Sequence, residues 1–267
     1  MSLNRTVAVV LRQFYLMRGS PARVLPLFVW IAVDMVLWGF ITRYLNTVAW
    51  SGFDFVPALL GAVLLWDFFI RVMQGVTMTF FEDVWTRNFL NIFATPLSIA
   101  EYLSGLVLSS IVTSLIGLAV MFFLASAAFG LSFTIYGLML IPFFLVLFLF
   151  GIAFGIFGSA IVLRFGPASE WIIWPIPGLL SPFAGVFYPI STLPQWMRVF
   201  SYLLPPSYVF EGVRATISGG SVSGGAMLWG GLLAIFYLLI ACRFYAGTHK
   251  YAVRTGLFAR YSAETLS

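Results

Sequence analysis

The sequence is poor in the residues from which soluble enzymes build active sites. It contains one lysine, one histidine and one cysteine, and only 9% of its residues are charged. A nucleotide-binding P-loop needs a Gly-Lys pair followed by Ser or Thr, but Lys250 lies between His249 and Tyr251. The chain therefore has no P-loop, and ATP-driven work would require a separate subunit to hydrolyse the nucleotide.

The same scarcity excludes other kinds of site. One histidine cannot build a multi-histidine metal site within a chain, and Cys242 alone cannot form an intramolecular disulfide. No nucleophile motif such as Gly-x-Ser-x-Gly accompanies the histidine. The net charge of +5 comes from arginines mainly near the two ends of the chain, which does not favour nucleic-acid binding. We expect no metal site, no catalytic residue and no nucleic-acid partner.

The sequence is rich in apolar residues. Hydrophobic residues make up 61% of the chain, aromatic residues 18%, and the mean hydropathy is +1.03. These values predict an all-α integral membrane protein, treated as one membrane domain over residues 1–267. Hydropathy predicts six spans, at about 24–44, 55–80, 98–125, 135–163, 171–187 and 227–245. The fifth is predicted to be short and bent, because Pro175, Pro177 and Gly178 interrupt it. Basic residues at both ends predict that both termini are cytoplasmic.

Residues 1–22 are predicted to form an amphipathic helix at the membrane interface. Apolar residues at spacings of three and four share one helical face: Leu3, Val7, Val10, Phe14 and Met17. Arg5 and Arg12 lie elsewhere on the wheel, and no cleavage pattern of a signal peptide follows. The alternative is a partly frayed cytoplasmic tail.

Three ionisable residues fall inside predicted spans. Asp34 lies in the first span, and Asp67 and Arg71 lie four residues apart in the second, on one helix face. A charge inside a span has to face protein or water rather than lipid. Two interpretations remain open: a structural ion pair within the bundle, or a polar patch on a transport path.

The segment 82–96, between the second and third spans, carries charges of both signs. Glu82 and Asp83 favour a helix start, and Pro96 closes the segment. Apolar residues recur through it at helical spacing: Trp85, Phe89, Ile92 and Phe93. The pattern predicts a short interfacial helix; the alternative is an interfacial loop anchored by aromatic residues.

Residues 188–218, here named the proline segment, are too apolar for water and too interrupted to span a membrane. Prolines at 189, 194, 205 and 206, together with Pro182 just before the segment, remove backbone donors and break any continuous helix. Two short helices fit between them, at Gln195–Leu204 and from Ser207 to about Ile217. The pattern predicts a re-entrant helical hairpin between spans 5 and 6, on the external side.

Four motifs carry a family resemblance. They are Ser181-Pro182-Phe183, Tyr188-Pro189-Ile190, Leu193-Pro194-x-Trp196 and Leu204-Pro205-x-x-Tyr208. Together with length and span order, they resemble the permeases of type-2 ATP-binding-cassette (ABC) exporters. The motifs are fairly specific to that family and say little about the cargo.

The resemblance implies three sets of site residues. The ATPase-coupling set is Glu82, Asp83, Trp85, Arg87, Phe89 and Phe93. The set in the external hairpin and gate is Pro182, Tyr188, Pro189, Pro194, Trp196, Pro205 and Tyr208. The set along the translocation path is Trp66, Asp67, Arg71, Trp171 and Trp174, although at this aromatic content packing also explains the tryptophans.

The resemblance also implies partners and location. Family members pair two permease chains, identical or sister chains, with two ABC ATPase subunits that hold ATP and Mg²⁺. We expect a homodimer in lipid, in the inner membrane of a bacterium, moving an amphipathic molecule outward. A lipid-linked oligosaccharide or polysaccharide is the alternative cargo. A channel or secondary carrier that needs no ATP, and a scaffold without transport, are alternatives of other classes.

Overall fold

The computed structural model describes residues 2–48, 54–86, 88, 91–92 and 94–257, and these ranges contain helices and no strands. The α-helices are α1 (Leu3–Arg18), α2 (Pro21–Val48), α3 (Gly61–Trp85), α4 (Ile99–Phe129), α5 (Leu140–Phe165), α6 (Ile176–Ala184), α7 (Gln195–Leu203), α8 (Pro205–Ile217) and α9 (Gly224–Thr255). Shorter helices cover Val56–Leu60, Phe133–Met139, Pro167–Ile172 and Ile190–Thr192. The predicted all-α class is confirmed.

Five helical segments in the described part of the chain are long and apolar enough to cross a membrane. They are Phe28–Val48, Val56–Trp85, Ile99–Phe129, Phe133–Phe165 and Gly224–Thr255. They correspond to the predicted first four spans and the last one. The chain is therefore a multi-pass membrane protein.

The predicted fifth span, 171–187, is not a single helix of spanning length. A 3₁₀ helix ends at Ile172 and α6 begins at Ile176, so α6 has nine residues. At 1.5 Å per residue it is about 14 Å long, half of the hydrocarbon core. Pro175 and Pro177 cause the break, because neither has an N–H group for a helical hydrogen bond.

Helix α8 marks one end of the bundle, here named the proline end. Its Phe210 ring lies 5.9 Å from the ring of Trp66, near the start of α3. A Cβ on Gly212 would lie 2.8 Å from the Phe143 ring, near the start of α5. Since α3 and α5 both begin here, their last residues lie at the opposite end. That opposite end, where α1 packs, is named the α1 end.

The broken segment 167–187 contacts both ends of the bundle. At the α1 end, Trp85 Nε1 donates a hydrogen bond of 3.0 Å to Glu170 Oε2. At the proline end, Arg214 of α8 donates one of 2.7 Å to the Gly185 carbonyl. Between them, Ile173 packs beside Gly158 of α5. The segment thus runs the length of the bundle in two short helical pieces.

The core of the bundle is α3, which packs against both α4 and α5. Its spanning window is 78% buried, whereas those of α2 and α9 are 22% buried. Close approach to α5 depends on glycine. A Cβ on Gly155 would lie 2.7 Å from the Val76 Cβ and 2.9 Å from the Met73 carbonyl oxygen. Small residues at such contacts let membrane helices approach closely.

We predict that Gly155→Ala destabilises the bundle by about 1–3 kcal/mol, the usual cost of overpacking. The Met73 carbonyl is backbone and cannot swing aside, so α5 has to shift away from α3. The measurement is the midpoint of thermal unfolding of the detergent-solubilised protein. Gly247→Ala in α9 is the matched control, because a Cβ there meets nothing within 4 Å. Equal midpoints for the two variants would contradict the packing argument.

Candidate functional site at the α1 end

Helix α1 packs against the bundle through a largely polar face. Its buried residues are Thr6, Val9 and Gln13, whereas Leu3 is 76% exposed. Val9 sits over Gly105 of α4, where a Cβ would lie 2.5 Å from the Val9 Cγ1. The apolar face of α1 is therefore directed away from the bundle, as expected of a helix that faces lipid on its outer side.

One buried carboxylate joins three helices at this end. Asp83, near the end of α3, has no solvent exposure. Arg12 of α1 forms a salt bridge with it and reaches both carboxylate oxygens. Tyr102 of α4 donates a hydrogen bond of 2.7 Å to Asp83 Oδ2. We name these three residues the Asp83 cluster.

The Asp83 cluster contains an ion pair whose carboxylate is fully buried and whose guanidinium is partly exposed. Burial lowers the pKa of the Arg12 guanidinium, and the nearby Tyr102 and Glu82 act in the opposite direction. An arginine nevertheless stays protonated in proteins. Removing one partner of a buried pair typically costs about 3–5 kcal/mol, because the other charge remains buried alone. The cluster thus fixes α1 to the bundle strongly.

A second set of contacts fixes the start of α1 to the start of α4. Glu101 and Ser98 form a reciprocal capping box, with a Ser98 N–H bond of 2.8 Å to the carboxylate. The same carboxylate accepts a bond of 2.5 Å from the Ser2 N–H and lies 3.7 Å from Arg5. Arg5 also donates to the Pro96 carbonyl. The last residue of segment 82–96 is therefore held next to α1.

The described part of segment 82–96 continues directly from α3. The Asn88 N–H donates to the Asp83 carbonyl and the Ile92 N–H donates to the Asn88 carbonyl, each at 3.0 Å. Ile92 is buried and Trp85 is half exposed. Of the predicted coupling set, Arg87, Phe89 and Phe93 lie outside the described residues. Asp83 is turned into the bundle, so it contacts α1 and α4 rather than an outside partner.

The predicted gate residues lie together at the proline end. The Tyr188 hydroxyl donates to the Pro182 carbonyl at 3.0 Å, and the Tyr208 hydroxyl donates to the Tyr202 carbonyl at 2.9 Å. The other predicted prolines border helices: Pro189 precedes the Ile190–Thr192 turn, Pro194 precedes α7 and Pro205 begins α8. Trp196 is 61% exposed, with its ring 6.4 Å from that of Phe183.

The geometry and the motifs agree with a comparison to known families. A family model described as "ABC-2 type transporter" matches residues 5–218. The chain belongs to the ABC-2 type transporter family. A search of curated proteins gives no significant match. The predicted resemblance is confirmed, and this chain is the membrane subunit of an ABC transporter, a transport rather than a catalytic chain.

In this ABC-2 permease the predicted path residues fall into two groups. Trp66 is buried between Phe69 and Phe210, and Asp67 and Arg71 lie close by on the same helix. Asp67 is within electrostatic range of Arg71 and of Asp34 in α2. Trp171 and Trp174, on the broken segment, are exposed by 75% and 41%. The first group is internal to the chain, and the second lies on its surface.

Sequence reasoning missed two groups of contacts in the permease. It assigned Arg12 only to the polar side of α1 and gave Tyr102 no role. It also overlooked Glu211, which accepts hydrogen bonds from the Ile190 N–H at 2.8 Å and from Arg214 at 2.9 Å. The spacing of Glu211 and Arg214, three residues apart, was a usable signal. Nothing in the sequence connects Arg12 with Asp83, which lies 71 residues further on.

We predict that Arg12→Met destabilises the permease by about 3 kcal/mol, because Asp83 then stays buried without its cation. This expected loss of stability is at the low end of the range for buried ion pairs, because water reaches part of the Arg12 side chain. The measurement is thermal or urea unfolding in detergent. Arg18→Met, at an exposed site in the same helix, is the control and should change stability little. The double variant Arg12→Met/Asp83→Asn should recover part of the loss; a simple sum of two losses would contradict the pairing.

Proposed function

We propose that this permease subunit forms the membrane part of an ATP-driven exporter. It acts as a homodimer with two ABC ATPase subunits, which hold ATP and Mg²⁺, and it moves an amphipathic molecule outward. The observation that carries the proposal is the Asp83 cluster together with the segment that follows it. This arrangement joins the segment that an ATPase would contact to three helices of the membrane bundle.

The contacts support a mechanical route from the ATPase into the membrane. Segment 82–96 continues from α3, a helix of 25 residues and about 38 Å. Its start is bound to α1 and α4 through Asp83, and its end is bound to α1 through Pro96 and Arg5. A push on this segment therefore moves α1, α3 and the start of α4 together. The ATPases can shift the permease only by their differential affinity for its two shapes.

The distribution of charge supports cytoplasmic placement of the α1 end. Basic residues at that end are Arg5, Arg12, Arg18, Arg164, Arg243, Lys250 and Arg254, against Arg43, Arg198 and Arg214 at the proline end. Positive residues favour the cytoplasmic side. If both ends of the chain lie on the cytoplasmic side, the chain crosses the membrane an even number of times. The broken segment 167–187 supplies the sixth crossing, and the proline segment forms a re-entrant hairpin outside.

Exposed apolar surface supports a second copy of the chain. Helix α2 is mostly exposed, and its Trp38 stacks on Phe187, the last residue of the broken segment, with ring centroids 5.0 Å apart. Trp171 and Trp174 lie on the same broken segment. A partner permease covering this surface would place these tryptophans along a path between two chains. Aromatic rings suit either a small amphiphile or the sugars of a lipid-linked glycan.

A channel or secondary carrier is the second candidate, and the cluster of Asp34, Asp67 and Arg71 favours it. Charged residues inside a membrane commonly mark ion pathways. The two candidates differ in their energy source. An ion-driven carrier transports without an ATPase, whereas the proposed exporter does nothing without one.

We predict that Phe89→Ala/Phe93→Ala uncouples the complex. The permease is purified with an ABC ATPase from the same genome, reconstituted in liposomes, and vanadate-sensitive ATP hydrolysis is measured. Truncating one aromatic hot spot at an interface costs about 2 kcal/mol or more, which is about thirtyfold in affinity, so we expect at least thirtyfold weaker ATPase binding and loss of regulated hydrolysis.

Phe123→Ala, on the exposed face of α4, is the matched control and should leave hydrolysis unchanged. Intact coupling in the Phe89/Phe93 variant would show that the segment is not the contact. Transport by the permease alone, driven by an ion gradient, would support the carrier instead.

We predict that Trp196 and Trp85 lie on opposite sides of the membrane. Since Cys242 is the only cysteine, a Cys242→Ser background is free of thiols. In that background, Trp196→Cys should react with a membrane-impermeant maleimide in intact cells, and Trp85→Cys should react only after permeabilisation. Both residues are at least half exposed, so accessibility within the chain is not limiting. The reverse labelling pattern would invert the topology and remove the coupling role of segment 82–96.

A further inference from the structure

An open groove of about 500 Å³ lies between α5 and α9 at the α1 end. Its lining is Arg164, Ile240, Arg243, Phe244, Gly247 and Thr248. Both arginines are exposed, and neither forms an ion pair within the described ranges 2–48, 54–86, 88, 91–92 and 94–257. Two unneutralised guanidinium groups beside an apolar wall form a surface suited to an amphipathic anion.

The groove is continuous with an apolar stripe that runs toward the proline end. Between Arg243 and the proline end, exposed apolar side chains recur along α9 at helical spacing: Leu228, Leu232, Ile235, Phe236, Leu239 and Ile240. Trp229, at the far end of this stripe, is 53% exposed, as expected of a residue at the opposite membrane interface. The stripe is long enough to accompany an acyl chain from the groove into the hydrocarbon core.

Arg164 is oriented by aromatic rings rather than by an acid. Its guanidinium carbon lies 5.0 Å from the centroid of the Tyr251 ring and 5.9 Å from that of Phe165. Stacking on a ring holds the planar group in place while leaving its N–H donors available. A phosphate accepts two such donors at once.

We propose that this groove binds the headgroup of an anionic phospholipid from the inner leaflet. The phosphate lies between Arg164 and Arg243, and an acyl chain follows Ile240 and Phe236 along α9. Basic pockets between spanning helices on the cytoplasmic side are suited to such headgroups. The inference rests on the proposed orientation, in which the α1 end is cytoplasmic.

The test is native mass spectrometry of the full chain in mild detergent, with phosphatidylglycerol or phosphatidylcholine added. We expect preferential retention of phosphatidylglycerol. One arginine near an anionic surface strengthens binding about fivefold. Arg164→Gln and Arg243→Gln should therefore each weaken phosphatidylglycerol binding about fivefold relative to phosphatidylcholine. Arg164→Lys/Arg243→Lys keeps both charges and should retain most of the preference.

Arg254→Gln is the matched control, since Arg254 is a basic residue of α9 outside the groove. Equal loss in this control, or no preference in the natural protein, would overturn the site. Displacement of the lipid by millimolar inorganic phosphate would indicate a soluble anion instead. A lower dimer fraction in the glutamine variants would mean that a second chain covers the groove. Cysteine labelling tests the orientation separately, so failure of the lipid site is distinguishable from failure of the topology.

Discussion

A buried carboxylate in a membrane protein has to be neutralised by its own chain, and Asp83 sets this requirement for the α1 end. Its two oxygens are occupied by Arg12 of α1 and Tyr102 of α4. If α1 leaves, Asp83 loses its counter-charge in a medium of low dielectric constant, and if α4 leaves, the carboxylate loses a hydrogen-bond donor. This interaction fixes α1 and α4 to the end of α3, and the contacts of Glu101 with Ser2 and Arg5 add to it. The same contacts position segment 82–96, because this segment continues directly from α3.

Helix α3 extends that constraint through the bundle. The Asp83 cluster lies at one end of it, and Asp67 lies 16 residues away, about 24 Å along the axis. One residue further, Trp66 contacts Phe210 of the proline segment. Between these levels, the glycines of α5 hold the two backbones close together. Displacement of α3 at one end therefore reaches α4, α5 and α8, because packed helices move as units rather than deforming continuously.

Local features of the structure were predictable from the sequence, and distant contacts were not. Prolines gave the interruptions at 175–177 and the two short helices α7 and α8, since each removes a backbone donor within its own neighbourhood. The Ser98-x-x-Glu101 capping box is also a local pattern.

Asp83 was predicted at a helix start because hydropathy falls after Phe80. In the structure α3 continues to Trp85, since residues 81–85 include no glycine or proline to stop it. Its partner Arg12 is 71 residues away, and spacing carries no information over that distance.

The burial of α3 also bears on where a cargo passes. Between Arg71 and the α1 end, α3 carries a series of side chains that are at most 1% exposed: Val72, Met73, Val76 and Phe80. These apolar layers separate the polar cluster of Asp34, Asp67 and Arg71 from the Asp83 cluster. Two grooves in the described part of the chain, of about 570 and 500 Å³, both lie on the surface, one along α2 and the other between α5 and α9. A polar or amphipathic molecule would have to open this core, at the cost of many packed contacts.

A route along the exposed surface of α2 and the broken segment requires no such opening, but it needs a second wall. We infer that a second chain supplies this wall, which favours a dimeric exporter over a carrier working through a single bundle.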